Sequence, residues 1–211
     1  MQHKTISLAD QVFEQIENDI LSEVYKKGDI LTEGRLSAAL GVSRTPIREA
    51  LRRLEQEHLI EESGKGAVVI GISEEDLEDI FLIRSKLEGI VCKLAASKHS
   101  ADDLQKLKEA VDLQEYYVSK GDADGIRLMD NKFHDILYRI SGKNVFYEIL
   151  VSLHKKIQKY RRAAVTNKSR AAASLAEHKA IYEAIANNDA EKAYELSLQH
   201  VENAYNHIKR A

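Results

Sequence analysis

The chain has 211 residues, 44% of them hydrophobic and 31% charged, so it can form one or two packed domains. Its net charge of −3 argues against a general nucleic-acid binder, because such binding grows with the number of basic contacts to phosphate. No run of about 18 apolar residues exists, which argues against a membrane-spanning helix. The single cysteine, Cys92, excludes an internal disulfide and favours a reducing compartment, so we expect a cytoplasmic protein with no membrane partner.

The first part of the chain predicts two helices and a tight turn. Apolar residues at helical spacing predict one helix from about Leu8 to Val24 and another from Glu33 to Leu40. Gly41 can end the second helix in a left-handed conformation, and Ser43 is a suitable N-cap for the helix that follows. This order of elements is typical of a helix-turn-helix motif.

The third helix has two unlike faces. Ile47 and Leu54 belong to a core face, whereas Arg44, Arg48 and Arg52 recur every four residues on the adjacent face. Guanidinium groups in this arrangement suit phosphates and guanine edges in a major groove. A solvated charged face is the alternative, and the preceding helix and turn favour DNA recognition over it.

A short hairpin is predicted next. Residues 59–62 and 67–70 have the composition of strands, and the glycine-rich residues 63–66 form the turn between them. A hairpin after a helix-turn-helix makes a winged helix. Lys65 at its tip can reach a phosphate or the minor groove, and a solvated turn lysine is the alternative of equal weight.

The run LGVSRTPIREAL from Leu40 to Leu51, with the later Gly64-Lys65-Gly66, resembles the N-terminal domain of the GntR family of bacterial transcription regulators. The resemblance implies a winged helix that binds a double-stranded DNA operator as a homodimer. The sequence departs from the family at one point: many members carry a basic residue nearer position 34, whereas this chain has Gly34 followed by Arg35. The DNA-binding candidates of this domain are Arg35, Ser43, Arg44, Thr45, Arg48, Lys65 and Gly66.

From Ser73 onward the sequence predicts only helices. Six amphipathic segments follow at about 74–98, 102–119, 122–141, 145–164, 169–187 and 189–209. Short links between them imply mostly antiparallel neighbours. We therefore predict a mainly α protein, with a winged helix-turn-helix domain over residues 1–72 and an all-α antiparallel helical bundle over residues 73–211.

Four polar residues lie on the apolar stripes of three bundle helices. Asp130 and His134 are one turn apart, and His178 and His200 lie on two later helices. A single inward histidine is more often a hydrogen-bonded core residue than a ligand. One aspartate and three histidines together favour a site for a divalent transition metal such as zinc, nickel or manganese.

Arg84 occupies a core position on the first bundle helix. A buried arginine needs an anionic partner, because its desolvation is costly. The partner is either Glu88, one turn further on, or the carboxylate of a small effector.

The second part of the chain resembles the FCD ligand-binding domain of the FadR-like branch of the same family. Its metal-binding members carry an aspartate and a histidine one turn apart and a histidine in each of two later helices, a pattern that Asp130, His134, His178 and His200 match. The resemblance implies a small carboxylate effector beside the metal. We predict a DNA-binding regulator that responds to this effector. A metal-dependent hydrolytic enzyme and a regulator with a purely structural metal are the alternatives.

Overall fold

The computed structural model describes residues 7–210, and most of them are helical, as the sequence predicts. The chain divides into two compact units, one on each side of the bond between Glu74 and Glu75. The domain bounds at residues 72 and 73 stay a prediction. None of the helices within residues 7–210 is long and apolar enough to cross a membrane.

Three helices and a small antiparallel sheet form the first unit. In chain order they are α1 (Leu8–Leu21), β1 (Ile30–Leu31), α2 (Glu33–Leu40), α3 (Arg44–Gln56), β2 (Ile60–Ser63) and β3 (Gly66–Val69). The strand order is β1-β3-β2, with Ile30 opposite Val68 and Ile60 opposite Val69. The sequence analysis missed β1, because two residues are too few to show the alternation of a strand.

The local sequence explains how α2 ends and how α3 is oriented. Gly41 has φ 67° and ends α2, with its N–H donated to the carbonyl of Ser37, as expected. Ser43 is the N-cap of α3, as expected, although its hydroxyl makes no capping hydrogen bond. Ile47 and Leu54 are fully buried in the core of this unit, which fixes the opposite face of α3 outward.

The second unit consists of helices only, within the described residues. They are α4 (Glu74–Lys98), α5 (Ala101–Lys120), α6 (Ala123–Ile140), α7 (Asn144–Lys156), α8 (Gln158–Thr166), α9 (Lys168–Ala186) and α10 (Ala190–Arg210). The single helix expected over 145–164 is wrong, because the chain changes direction at the fully buried Ile157 (φ −100°, ψ 12°). The short helix α8 that results turns Arg161 toward Asp130 on α6.

Gly66 shapes the wing. Its φ is 132°, and a Cβ atom at this position would lie 2.6 Å from the carbonyl oxygen of Leu31 on β1. Both the backbone conformation and the close approach of β1 therefore require glycine. Among the candidate DNA-binding residues, Gly66 is thus required by the structure of the wing, independently of any contact with DNA.

We expect Gly66→Ala to loosen the wing, because the strained backbone and the contact with Leu31 cost about 1–3 kcal/mol. Hydrogen exchange of peptides covering Ile60–Val69 should become faster, while exchange in α5 and α6 stays unchanged. Gly34→Ala is the matched control, since a Cβ there has no atom within 4 Å. Equal protection of the wing in both variants would contradict this account.

Candidate DNA interface and metal centre

The polar face of α3 is open to solvent. Arg44, Thr45, Arg48 and Arg52 are all exposed, as are Arg35 on α2, Ser43 before α3 and Lys65 at the tip of the β2–β3 turn. The remaining arginine of this stretch, Arg53, instead bonds Asp10 of α1 at 2.5 Å and lies 3.9 Å over the Phe13 ring. Arg53 therefore holds α3 against α1, and the other arginines of α3 are left to face a partner.

Arg48 is held in a bidentate ion pair with Glu33, the first residue of α2. The Nε atom donates to Oε1 at 2.8 Å and Nη2 donates to Oε2 at 3.0 Å. The side chain of Arg48 is nevertheless 71% exposed. The hydrogen bond from Arg48 lowers the pKa of the Glu33 carboxyl. Glu33 thus fixes one edge of the guanidinium, and sequence analysis missed this residue because it lies on another helix.

Three of the predicted ligands converge inside the second unit. One ligand atom from each of His134, His178 and His200 lies within 4.8 Å of the other two, and all three side chains are buried. The ring centroids of His134 and His178 are 5.2 Å apart, and those of His178 and His200 are 4.8 Å apart. These histidines come from α6, α9 and α10, as the spacing on the predicted stripes required.

Two further side chains orient these rings. The Oε1 atom of Gln114 on α5 accepts a hydrogen bond from His178 Nδ1 at 2.8 Å, and Oε2 of Glu177 accepts one from His200 Nδ1 at 2.7 Å. Because Nδ1 donates in each ring, Nε2 is the nitrogen left to bind a metal ion. Outer partners of this kind are typical of histidines that bind metals.

Unpaired atoms at this position show that the donor set fits a cation. His178 Nε2 is buried without a hydrogen-bond partner among the described residues. It faces Oδ1 of Asp130 at 3.6 Å, and His134 Nε2 lies 4.0 Å from the same oxygen. An imidazole lone pair and a carboxylate oxygen that face each other repel, and a cation removes that repulsion. Imidazole and carboxylate donors also suit zinc and nickel.

Asp130 has a second partner on its other side. Nη2 of Arg161 on α8 donates a hydrogen bond to Oδ2 of Asp130. Burial raises the pKa of Asp130, but the charge and the hydrogen bond of Arg161 act against it, and the pKa is held well below its usual range. Asp130 is therefore ionised and placed between a guanidinium and the three histidines.

Burial keeps His134, His154 and His178 neutral. It lowers the pKa of His178 to about 3, helped by the nearby His200, and it lowers the pKa of His154 to about 3, helped by the charge of Arg84. Burial and the neighbouring His154 also hold the pKa of His134 well below its usual range. Neutral imidazole is the form that binds a metal ion.

Arg84 is buried and paired with Glu88, the first of the two partners that the sequence left open. Its Nε donates to Oε1 of Glu88 at 2.7 Å, and both side chains are almost inaccessible to solvent. Glu88 also lies 3.1 Å from His154 Nε2, which is 2.7 Å from the hydroxyl of Tyr138. A contact between Arg84 and an effector stays a prediction.

Glu88, His134 and His154 form a second group with ligand atoms within 4.8 Å of one another. In this group, however, the Glu88 carboxylate already bonds Arg84 and His154. A cation there would have to displace these partners. Both groups contain a buried ring nitrogen without a hydrogen-bond partner in the described part of the chain, His134 Nδ1 near Glu88 and His178 Nε2 near Asp130. The group around His178 is the better candidate, because Gln114 and Glu177 already orient the rings of His178 and His200.

Two cavities flank the histidines. A small cavity of about 50 Å³ is lined by Arg84, Asp130, His134, Arg161 and His200 among others. A larger one of about 340 Å³ lies between α6, α7 and α8. Its charged lining residues are Arg127, Asp135, Lys155, Arg161 and Arg162. Four bases and one acid give the larger cavity a positive character, and both cavities share His134 and Arg161.

Sequence analysis missed Gln114, Glu177, His154 and Arg161. Glu177 is next to His178 but lies off the apolar stripe of its helix, so the periodicity carries no signal for it. His154 lies at the edge of its own stripe, although it is buried. The sequence predicts one continuous helix through Arg161 and so gives no sign of the break at Ile157, after which α8 brings this residue to Asp130.

A winged helix with an exposed arginine face, followed by a helical bundle with an internal donor set, defines a DNA-binding transcriptional regulator. The family model of bacterial regulatory proteins of the gntR family matches residues 8–70, and the FCD domain model matches residues 79–203. The chain therefore belongs to the GntR family of regulators and carries an FCD domain, as the sequence analysis predicted.

Similar proteins agree with this assignment. The chain is 29% identical over 202 residues to the HTH-type transcriptional regulator YdhC of Bacillus subtilis, covering 94% of this chain and 90% of YdhC. It is 32% identical over 120 residues to the gluconate operon transcriptional repressor of Bacillus licheniformis, which is 57% of this chain and 49% of the repressor. The solved structure of Escherichia coli McbR/YncC has the same fold, with a TM-score of 0.79 at 21% identity over 98% of this chain and 99% of that one. The family and its members are regulators and not enzymes.

The depressed pKa values predict how stability depends on pH. His154 and His178 have a lower pKa in the folded chain than the ordinary value of 6.5, so protons favour the unfolded chain. Their contribution to stability is complete above about pH 6.5 and is lost as the pH falls toward about 3. From about pH 7.5 to about pH 5.5 the loss is about 1 kcal/mol for each histidine.

Urea unfolding of chelator-treated protein at the two pH values measures this loss. His154→Gln keeps a polar side chain but cannot titrate in this range, so the pH dependence should shrink. His207→Gln, outside the buried network, should leave it unchanged. If His154→Gln and the wild type lose equal stability on acidification, His154 is not the buried neutral group described here.

Proposed function

We propose that the protein is a homodimeric transcriptional repressor whose operator binding is modulated by a small carboxylate effector bound beside a divalent transition metal. The observation that carries this proposal is the buried set of His134, His178 and His200, in which His178 Nε2 has no hydrogen-bond partner among the described residues. Two regulators that resemble this chain are named as repressors, which supports that part of the proposal.

Asp130 and the three histidines would hold the metal, and zinc, nickel and manganese are the candidates. When bound, the ion supplies an electrophilic position for a carboxylate oxygen. Gln114 and Glu177 fix the rings of His178 and His200 for this role. The prepared rings support a resident metal over a purely apolar or hydrogen-bonded core.

The balance of charge around the site supports an anionic effector. Each of three carboxylates here is paired with one guanidinium: Glu88 with Arg84, Asp130 with Arg161, and Glu177 with Arg170. These six groups sum to zero, and burial keeps His134, His154 and His178 neutral. A divalent cation therefore leaves an excess of two positive charges, which an anionic ligand offsets. The excess positive charge favours an effector site over a purely structural metal.

The larger cavity is the place for that effector. A water molecule takes up about 30 Å³ in the liquid, so the cavity of about 50 Å³ has room for little beyond an ion and a water. The cavity of about 340 Å³ accommodates a small carboxylate with its charged end toward His134 and Arg161. Arg84 lines the smaller cavity. Its bond to Glu88 uses one of five N–H donors. Arg84 can therefore also bond the one carboxylate oxygen that the effector extends from the larger cavity to the metal.

The first unit would bind the operator. In a dimer, two α3 helices enter successive major grooves of a two-fold site. The exposed face of α3 carries Arg44, Thr45 and Arg48, which would contact bases and phosphates of the major groove. Lys65 lies at the tip of the wing. Arg35 and Ser43 are exposed where α2 and α3 begin, positions that suit contacts with phosphate.

Arg48→Ala tests the DNA interface. A duplex selected by the wild type from a pool with a random central segment should bind the variant about 1–3 kcal/mol more weakly, since a base contact is lost. Gel retardation or fluorescence anisotropy measures the change. Arg139→Ala is the matched control, because Arg139 is also exposed and paired with a carboxylate, Asp135 at 2.9 Å, but lies on α6. Equal affinity of Arg48→Ala and wild type removes Arg48 from the interface.

Glu33→Gln in the same assay distinguishes two roles for the ion pair. If Glu33 positions the guanidinium, specific binding weakens while binding to unselected duplex stays the same. If Glu33 only repels phosphate, both kinds of binding strengthen.

His178→Ala tests the metal centre. The wild type purified without chelator should contain zinc, nickel or manganese by elemental analysis, and added Zn²⁺ should raise its melting temperature, since a ligand of the folded state stabilises it. His178→Ala should contain less metal and respond less, while His207→Ala should match the wild type. Equal metal content in all three proteins would exclude this site.

The same measurement of melting temperature tests effector binding. Gluconate is a suitable first probe, because one relative is named after a gluconate operon. Gluconate should raise the melting temperature of the Zn²⁺-loaded wild type more than that of the metal-free protein. If no member of a panel of small carboxylates raises the melting temperature more with Zn²⁺ than without it, the metal is purely structural.

A further inference from the structure

Arg161 lies on the opposite side of Asp130 from the histidines. Its Nη2 bonds Oδ2 of Asp130, while Oδ1 of the same carboxylate lies 3.6 Å from His178 Nε2 and 4.0 Å from His134 Nε2. One carboxylate is therefore shared between a guanidinium and the site that we assign to a cation.

The three guanidinium–carboxylate pairs differ in how firmly they are held. The side chains of Arg84 and Arg170 are 3% and 9% exposed, whereas that of Arg161 is 16% exposed. Arg161 also lies on α8, a helix of nine residues of which none is buried. Of the three arginines, Arg161 can therefore leave its carboxylate with the least loss of packing.

The larger cavity offers the Arg161 side chain a second position. It lines the larger cavity together with Arg127, Lys155 and Arg162, as well as the smaller one beside the histidines. A cation close to Asp130 repels the guanidinium and competes for the same negative charge, because like charges at short range in a buried site interact strongly.

We propose that Arg161 is an exchangeable partner of Asp130: a divalent cation held by His134, His178 and His200 takes over Asp130, and the guanidinium moves into the larger cavity. This inference rests on the metal site of the proposed function. Metal loading thereby adds a free guanidinium to the wall of the larger cavity, which makes it a stronger site for an anionic ligand. Arg161 would then link occupancy of the metal site to effector binding.

Zinc affinity tests the exchange. Titration of chelator-treated protein with Zn²⁺ against a chromogenic chelator should show tighter binding by Arg161→Gln than by the wild type, by roughly tenfold, because the competitor for Asp130 is gone. Arg162→Gln is the matched control, since it removes the same charge from the next residue of α8. Equal or weaker binding by Arg161→Gln, in a wild type that binds Zn²⁺, overturns the exchange and leaves the metal site standing. A wild type that does not bind Zn²⁺ overturns both.

A measurement on the wild type alone does not depend on how the variant folds. Hydrogen exchange is compared with and without Zn²⁺, with chloride as the added anion. Zn²⁺ should slow exchange in the ligand helices α6, α9 and α10 and speed it in peptides covering Gln158–Thr166, because α8 loses its bond to Asp130. Slower exchange in α8 together with the ligand helices would show that Arg161 stays on Asp130.

Discussion

Buried charge that must be balanced is the constraint on which the second unit depends. Arg84, Asp130, Glu88 and Arg170 lie where water cannot solvate them, and each has a partner of opposite charge within hydrogen-bonding distance. Pairs of this kind add little stability over apolar residues of the same volume, but loss of one partner leaves an expensive isolated charge. The arrangement is therefore better understood as the support of a site than as a source of stability. The histidines fit this view, because burial keeps His134 and His178 neutral. The hydrogen bonds of His178 to Gln114 and of His200 to Glu177 leave the other nitrogen of each ring for a ligand.

The same side chain, arginine, serves different purposes in the two units because its surroundings differ. In the first unit, Arg48 is mostly exposed, and its bond to Glu33 restricts its orientation at little electrostatic gain, since solvent screens such pairs. In the second unit, Arg84 is enclosed, and its bond to Glu88 neutralises two charges that could not otherwise be buried. Exposed arginines thus remain available to a polyanion, and enclosed ones set the charge that an incoming ion meets.

The pattern of apolar residues predicted most of the fold, since helical and strand periods are directly visible in a sequence. It also predicted that Asp130, His134, His178 and His200 point inward, because each lies on an apolar stripe. Partners from other helices were less accessible: Glu33 for Arg48, Gln114 for His178 and Arg161 for Asp130 are paired only by tertiary packing. Arg84 illustrates both cases. Its partner Glu88 could be proposed from the sequence because it lies one turn further along the same helix. A bound effector could not, because a ligand leaves no pattern of its own in the sequence. The break at Ile157 could not be predicted either, because neither proline nor glycine marks it in the sequence.

A site that is neutral without a metal has a further consequence for regulation. If the cation raises the affinity of an anionic effector, linkage requires that the effector raises the affinity of the cation by the same factor. The two ligands then bind as a pair, and either one alone shifts the population of the regulator less than both together. Arg161 is well placed to supply this coupling, because it lines both cavities and bonds Asp130, whose other oxygen faces His134 and His178. Coupling through one movable guanidinium needs no rearrangement of the helices that carry the ligands, since those rings are already fixed by Gln114 and Glu177.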